Sequence, residues 1–246
     1  MESGKKWALG GSLVFVLVVG TRLGFMYRER HADDAPVKKV EYKSDPEDLV
    51  FLKSEHPISF KDAKEMKGRR LWVSAGGQMD YYAYNGHSAD YAHSQGVLLG
   101  AEKIDVKDAV EQVAPKKTAF RIPAGDKQVL LVFTTAGETS AGGKEYAVPV
   151  GYREGDTYTY STDQIFFYDD PHQLYSFWGP ENWKAIDEHR ALVGMNERQV
   201  QMALGQVSEP HGDSVGNRLV VYDDQGKPKR VTFAGGKATK IEDVPQ

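Results

Sequence analysis

Three small clusters of residues in this chain have side chains that could do chemistry. His87, Asp90 and His93 lie in NGHSADYAHSQG at spacing i, i+3, i+6. On a helix they would share one face, and two imidazoles with a carboxylate can hold zinc or iron. Three ligands with no evident fourth make a weak centre, and a polar loop beside tyrosines explains the same residues. No metal or other cofactor is therefore expected. Asp169, Asp170 and His172 form YDDPH with Pro171. Two carboxylates and an imidazole can exchange protons, but aspartate followed by proline is also ordinary turn chemistry. Tyr81, Tyr82, Tyr84 and Tyr91 offer area with a polar tip, suited to a sugar or a peptide. Half-buried strands favour tyrosine as well. Ser74, Ser140 and Ser161 lack a nucleophile-elbow context. Gly76-Gly77 and Gly142-Gly143 lack phosphate-loop spacing. No catalytic residue is expected.

Composition narrows the function classes. The chain has 246 residues, 40% hydrophobic and 27% charged, with net charge −4 and no cysteine. That length suits one large domain or two small ones. The missing cysteines exclude a disulfide scaffold, a thiolate zinc site, a cysteine nucleophile and a lipidated cysteine. Mild acidity argues against nucleic acid as a partner. Charge is uneven: residues 1–30 carry Lys5, Lys6, Arg22, Arg28 and Arg30 against Glu2 and Glu29, in a chain that is acidic overall.

The elements that must position these residues start at the N-terminus. A short tail (1–6) precedes an apolar run (7–27), read as a transmembrane anchor into the lipid bilayer. Trp7, Leu13, Phe15, Leu17 and Phe25 are its membrane-facing residues. No small-x-small cleavage site follows, so an uncleaved signal anchor is expected. The bacterial inner membrane is the expected address, with the body periplasmic. The basic residues after the run (Arg22, Arg28, Arg30, Lys38, Lys39) count for a cytoplasmic body instead. Residues 28–57, with Pro36, Pro46 and Pro57, read as a linker.

A β-rich domain of barrel or sandwich type is expected over 58–169. Its strands read as 71–75, 81–87, 118–123, 128–135, 145–152, 157–161 and 164–169. Pro149 inside a strand argues for an edge or a bulge. The spacing of Val106, Ala109, Val110 and Val113 predicts a helix over 105–113. An α+β domain is expected over 170–246. Helices are read over 180–193 and after an Asn196–Gln199 capping box, with Gly205 as the stop. Strands follow at 217–224, 229–236 and 237–244. Tyr175, Phe177 and Trp178, with Leu174 and Trp183, mark a packed hinge between the domains or an exposed aromatic contact surface.

Gly194-Met195, Gln199-Val200, Leu204-Gly205, Val231, Phe233 and Gly236 resemble the pattern of the SmpA/OmlA (BamE-like) family of envelope proteins. The likeness covers about a quarter of the chain and implies an α-α-β-β-β module, an envelope location and protein–protein contact. The fold expected is thus α+β: a transmembrane helix, a small β-rich domain, then a BamE-like domain. The function expected is non-catalytic scaffolding of a membrane protein complex, through Tyr81, Tyr82, Tyr84, Tyr175, Phe177 and Trp178. A metal-dependent enzyme at the membrane surface and a cell-wall glycan-binding module are the alternatives.

Overall fold

The computed structural model describes residues 19–29, 45–116, 121–135, 143–211 and 214–245. The chain divides into two compact units, Met1–Asp45 and Pro46–Gln246. In the first, the described residues 19–29 form a helix, α1. Among the described residues no helix is long and apolar enough to cross a membrane. Arg22, Arg28 and Glu29 lie on the described part of this helix. This overturns the single-pass anchor over 7–27 and the inner-membrane placement that rested on it. Phe25 sits on α1, 71% exposed. Trp7, Leu13, Phe15 and Leu17 lie outside the described residues, as does the tail 1–6.

The second unit begins with a 3-10 turn, Pro46–Leu49, and a short helix α2, Phe60–Glu65. Strands β1 (Arg70–Val73), β2 (Asp80–Tyr84), β3 (Ala89–Val97), β4 (Lys103–Gln112), β5 (Lys127–Thr135), β6 (Tyr146–Glu154) and β7 (Thr157–Tyr160) follow. Next come helix α3 (Thr162–Ile165), strand β8 (Phe166–Phe167) and helices α4 (Pro171–Leu174), α5 (Pro180–Asp187) and α6 (Glu197–Leu204). Strands β9 (Val207–His211), β10 (Leu219–Tyr222), β11 (Lys229–Ala234) and β12 (Lys237–Asp243) close the chain. The first eight strands form one antiparallel sheet ordered β3-β2-β6-β5-β4-β1-β8, with β7 on β6, and the last four a sheet ordered β12-β11-β10-β9.

The expected fold class is therefore corrected. The unit is β-rich, with two antiparallel sheets and short helices, in place of a transmembrane helix, a barrel and an α-α-β-β-β module. The sheet after α6 has four strands. The extra one, β9, reads VSEPH with every residue after Val207 exposed. A solvated edge strand with a proline carries no alternation to read.

The helix expected over 105–113 is strand β4, and a bulge explains the error. The register against β5 shifts between Val106 and Asp108. One extra residue there places Val106 and Ala109 on the same face, with Ile104 two residues before. A period of two interrupted by a bulge thus imitates helical spacing. Val110 faces the opposite side, against Tyr82, Leu130 and Ala147. Pro149 sits at a second bulge: Val129 pairs with Gly151 and Leu130 with Pro149, leaving Val150 as the extra residue. Expected strand 118–123 is a bend where described, and 164–169 contributes only Phe166–Phe167. Helix α5 stops at Asp187 rather than at 193, because His189 takes a left-handed conformation (φ 52).

Two main cores result. The first packs Leu71, Val73, Val106, Leu131, Phe133 and Val148 of the larger sheet under Ala63, Met66 and Ile165. The second packs Trp183, Ile186, Val200 and Leu204 of α5 and α6 against Tyr222, Val231 and Phe233 of the smaller sheet. Gly100, in the turn between β3 and β4, joins the two: a Cβ there would lie 2.2 Å from the Met202 carbonyl of α6. The edge strand β3 is covered by side chains. Gln112 donates to the Ala89 carbonyl (2.8 Å) and accepts the Ala89 N–H (2.7 Å). The Asp90 carboxylate accepts the Ala92 N–H, and the Ser94 hydroxyl oxygen the Gly96 N–H. Occupied backbone groups resist pairing with another chain.

Candidate functional site

Residues 46–57 were expected to be part of a solvated linker. They are instead a strap bound across the second unit, and three carboxylates fasten them. Glu47 accepts the Trp178 indole N–H at 2.8 Å and the Asn196 carboxamide, with the Arg198 guanidinium 3.7 Å away. Asp163, at the start of α3, accepts the backbone N–H of Glu55 (3.2 Å) and His56 (3.0 Å) and the Tyr168 hydroxyl (2.6 Å). Burial alone would raise the Asp163 carboxyl, but these donors hold it below the usual carboxylate range. The third is Glu55, which takes both arms of the Arg69 guanidinium, one at 2.7 Å.

The Arg69 fork brings the Glu55 carboxyl down to about 2 from its ordinary 4.5. A carboxyl depressed on folding stabilises the native state above the unfolded pKa and stops doing so as pH falls through the folded one. Strap and fold are thus expected to lose stability from about pH 4.5 to about pH 2. Urea unfolding of the native chain and an Arg69→Leu variant measures this. Their midpoints should differ at neutral pH and converge across that window. A constant difference would show that the pair is not the source.

Under the strap lies a column of rings. His172 packs at a tilt on Trp183 (4.1 Å between centroids), Trp183 stacks on Trp178 (5.1 Å) and Trp178 on Tyr175 (4.5 Å). The sequence drives this arrangement simply. Gly179, with φ 80, ends a turn at Ser176–Trp178, and Pro180 then starts α5, so the chain folds back and brings Trp183 over Trp178. The Trp183 indole N–H donates to the Tyr175 carbonyl at 3.0 Å. A cleft of about 300 Å³ opens beside the column. Its apolar wall includes Leu52, Phe166, Phe167, Leu174 and Tyr175, and its polar rim includes Lys53, Asp169, Arg198 and Gln201. Arg198 stands over the Tyr175 ring, 5.8 Å from its centre, and donates to its hydroxyl at 3.1 Å.

Several apolar side chains on the strap and beside the column stand in solvent. Phe51 is 86% exposed, Leu49 62%, Leu52 49% and Phe177 45%. Leu52 lines the cleft, the Phe177 ring lies 6.1 Å from that of the cleft residue Tyr175, and Leu49 and Phe51 stand on the strap within three residues of Leu52. Val50 points the other way and packs on the second core, which fixes the strap with its neighbours outward.

The structure separates the residues singled out from sequence. His87 lies in the β2–β3 turn, while Asp90 and His93 lie on strand β3, so the three share no helix face. Asp90 pairs with His93 Nδ1 at 2.8 Å. Among the described residues no group of three or more histidine, aspartate or glutamate side chains is placed to hold a metal ion. Asp170 caps α4 by accepting the His172 N–H, and the His172 ring bridges Asp170 (2.9 Å) and Asp187 (3.0 Å). Both ring nitrogens face carboxylates, so the cluster ties α4 to α5. Asp169 lies apart, on the cleft rim.

The tyrosines are engaged in packing. Tyr82 is buried and meets Tyr91 edge-on at 5.1 Å. Tyr81 packs between Phe133 and Tyr146, and Tyr84 lies against the small core of Leu130 and Ala147. Tyr175 and Trp178 are buried too, leaving Phe177 as the exposed member of its trio. Sequence reasoning missed Glu47, Glu55, Asp163 and Arg198, whose partners lie up to 149 residues away. No local spacing signals such contacts.

The molecule so defined is a two-sheet β protein with a strapped, aromatic-lined cleft. No protein-family description, curated protein or solved structure matches the chain.

Proposed function

We propose that this chain is a non-catalytic binding protein that holds a segment of a partner protein at the strapped cleft. The observation that carries this reading is the exposed apolar stretch Leu49, Phe51 and Leu52 on a pinned strap, with Leu52 lining the cleft and the exposed Phe177 beside the cleft residue Tyr175. Apolar side chains left in water on a free linker are unremarkable. Here backbone and carboxylate contacts hold them in one geometry, so binding would cost little further ordering. Aromatic anchors beside a desolvated pocket are the usual centres of protein interfaces. Arg198 and Lys53 at the rim can meet a partner's carbonyl or carboxylate groups.

The test is native extraction under mild conditions, size separation and identification of co-migrating chains, with the native sequence and a Phe51→Asp/Phe177→Asp double variant. The native chain should travel with a stoichiometric partner. The variant should lose it while staying folded, because Phe51 is 86% exposed and Phe177, half in solvent, lies outside the buried core. Equal recovery of the partner by both, or migration of the native protein as a lone 27.4 kDa chain, would count against the reading.

A further inference from the structure

The turn between β2 and β3 carries a site that the binding function does not use. Asn85 is followed by Gly86, both are exposed, and Gly86 sits at φ 88 with open space where a side chain would stand. The Asn85 side chain folds forward along its own backbone. Its Oδ1 accepts the N–H of His87 at 2.9 Å and of Ser88 at 2.8 Å. Its Nδ2 donates to the Ser88 hydroxyl at 3.4 Å, so the carboxamide lies over the turn that contains Gly86. Two backbone donors at Oδ1 draw electron density from Cγ and are placed to meet an oxyanion forming there. A glycine nitrogen is the least shielded nucleophile the main chain offers.

We propose that Asn85 is a self-modification site, at which the folded chain converts its own asparagine to aspartate and isoaspartate. The Gly86 amide gives its proton to a solvent base, and its nitrogen bonds to Asn85 Cγ. The tetrahedral oxyanion on Oδ1 collapses, the bond from Cγ to Nδ2 breaks, and Nδ2 leaves as ammonia with a proton from water. The resulting succinimide then takes up one water. Opening at the side-chain carbonyl leaves aspartate, and opening at the main-chain carbonyl leaves isoaspartate. One water enters, one ammonia departs, and nothing is oxidised or reduced.

The other three asparagines are placed differently. Asn182 donates to the Trp178 carbonyl from within α5, Asn196 caps α6, and Asn217 accepts the Gly235 N–H. Each is followed by a residue with a large side chain, Trp183, Glu197 and Arg218. The consequence is local. The isoaspartate route adds a methylene to the main chain of a turn closed by the Asn85 N–H to Ser88 carbonyl bond at 3.2 Å. Both routes add a negative charge a few residues from the Asp90–His93 pair. The start of β3, where Gln112 holds Ala89, is expected to loosen with age.

The experiment is incubation of the full folded chain at mildly alkaline pH and body temperature. Peptide mapping by mass and labelling with an isoaspartyl-specific methyltransferase give the readout. An unstructured Asn-Gly peptide incubated alongside marks the time span. Conversion at position 85 should run at least about tenfold faster than at 182, 196 or 217. An Asn85→Gln variant, whose longer side chain closes the ring far more slowly, should stay unlabelled while folding to the same structure, its unfolding midpoint lowered only slightly by loss of the two turn bonds. An intact Asn85 after the peptide has fully converted would overturn the proposal. So would conversion at the other three positions at a comparable rate.

Discussion

Replacing Trp178 by alanine is expected to lower the stability of the second unit by about 3–5 kcal/mol, the usual cost of emptying a buried aromatic site. Trp178 is 6% exposed and stacks between Tyr175 and Trp183 at 4.5 and 5.1 Å. Its removal opens the middle of the column and leaves two rings without a shared neighbour. It also takes away the indole N–H that Glu47 accepts at 2.8 Å. The first part of the strap should then detach. Amide exchange at Leu49 and Val50 should speed up, while Glu55 and His56, held by Asp163, change less. A Trp178→Phe variant separates the two contributions. It keeps most of the stack and loses the donor, so about 1–2 kcal/mol is expected. Urea unfolding with site-resolved hydrogen exchange measures both. A loss below about 1 kcal/mol for the alanine variant would mean that the column is not a structural centre.

Adding a single methyl group at Gly100 is expected to cost about 3 kcal/mol, at the upper end for overpacking. The Cβ of a Gly100→Ala variant would stand 2.2 Å from the Met202 carbonyl oxygen and 3.1 Å from its carbon. Both are main-chain atoms of a buried helix, so neither can swing aside as a side-chain tip would. The β3–β4 turn and α6 must separate, which parts the two cores where they meet. Gly155→Ala serves as the control. Gly155 has φ 57 with nothing within 4 Å of a Cβ, so only the left-handed backbone is penalised, by about 1 kcal/mol. Comparable thermal shifts for the two variants would show that the turn does not press on α6.

Parts of this arrangement are legible in the residues themselves. The Asn196–Gln199 capping box and the Gly205 stop bracket α6 as read, because capping is settled within one turn of chain. Strands β5, β6, β11 and β12 fall where alternation and turn residues place them, within a few positions. Pro149 correctly signals a bulge, since a proline cannot donate to a ladder. The reading fails at β4, where a bulge disguises a strand's period as a helix's. It fails again at 7–27, where apolar composition alone suggested a membrane span that no described helix supports.

The candidate site was the least legible part. Local sequence determined capping, turn chemistry and most strand positions, because each depends on neighbours a few residues away. Tertiary structure alone decided that Glu47 meets Trp178 and Asn196 and that Asp163 receives Glu55 and His56. It also turned Tyr82, Tyr175 and Trp178 inward and left Phe51 and Phe177 outside. A buried and a displayed aromatic have the same side-chain chemistry. Which one a residue becomes depends on what the rest of the chain brings against it, and a contact across 131 residues leaves no trace in the spacing of either end.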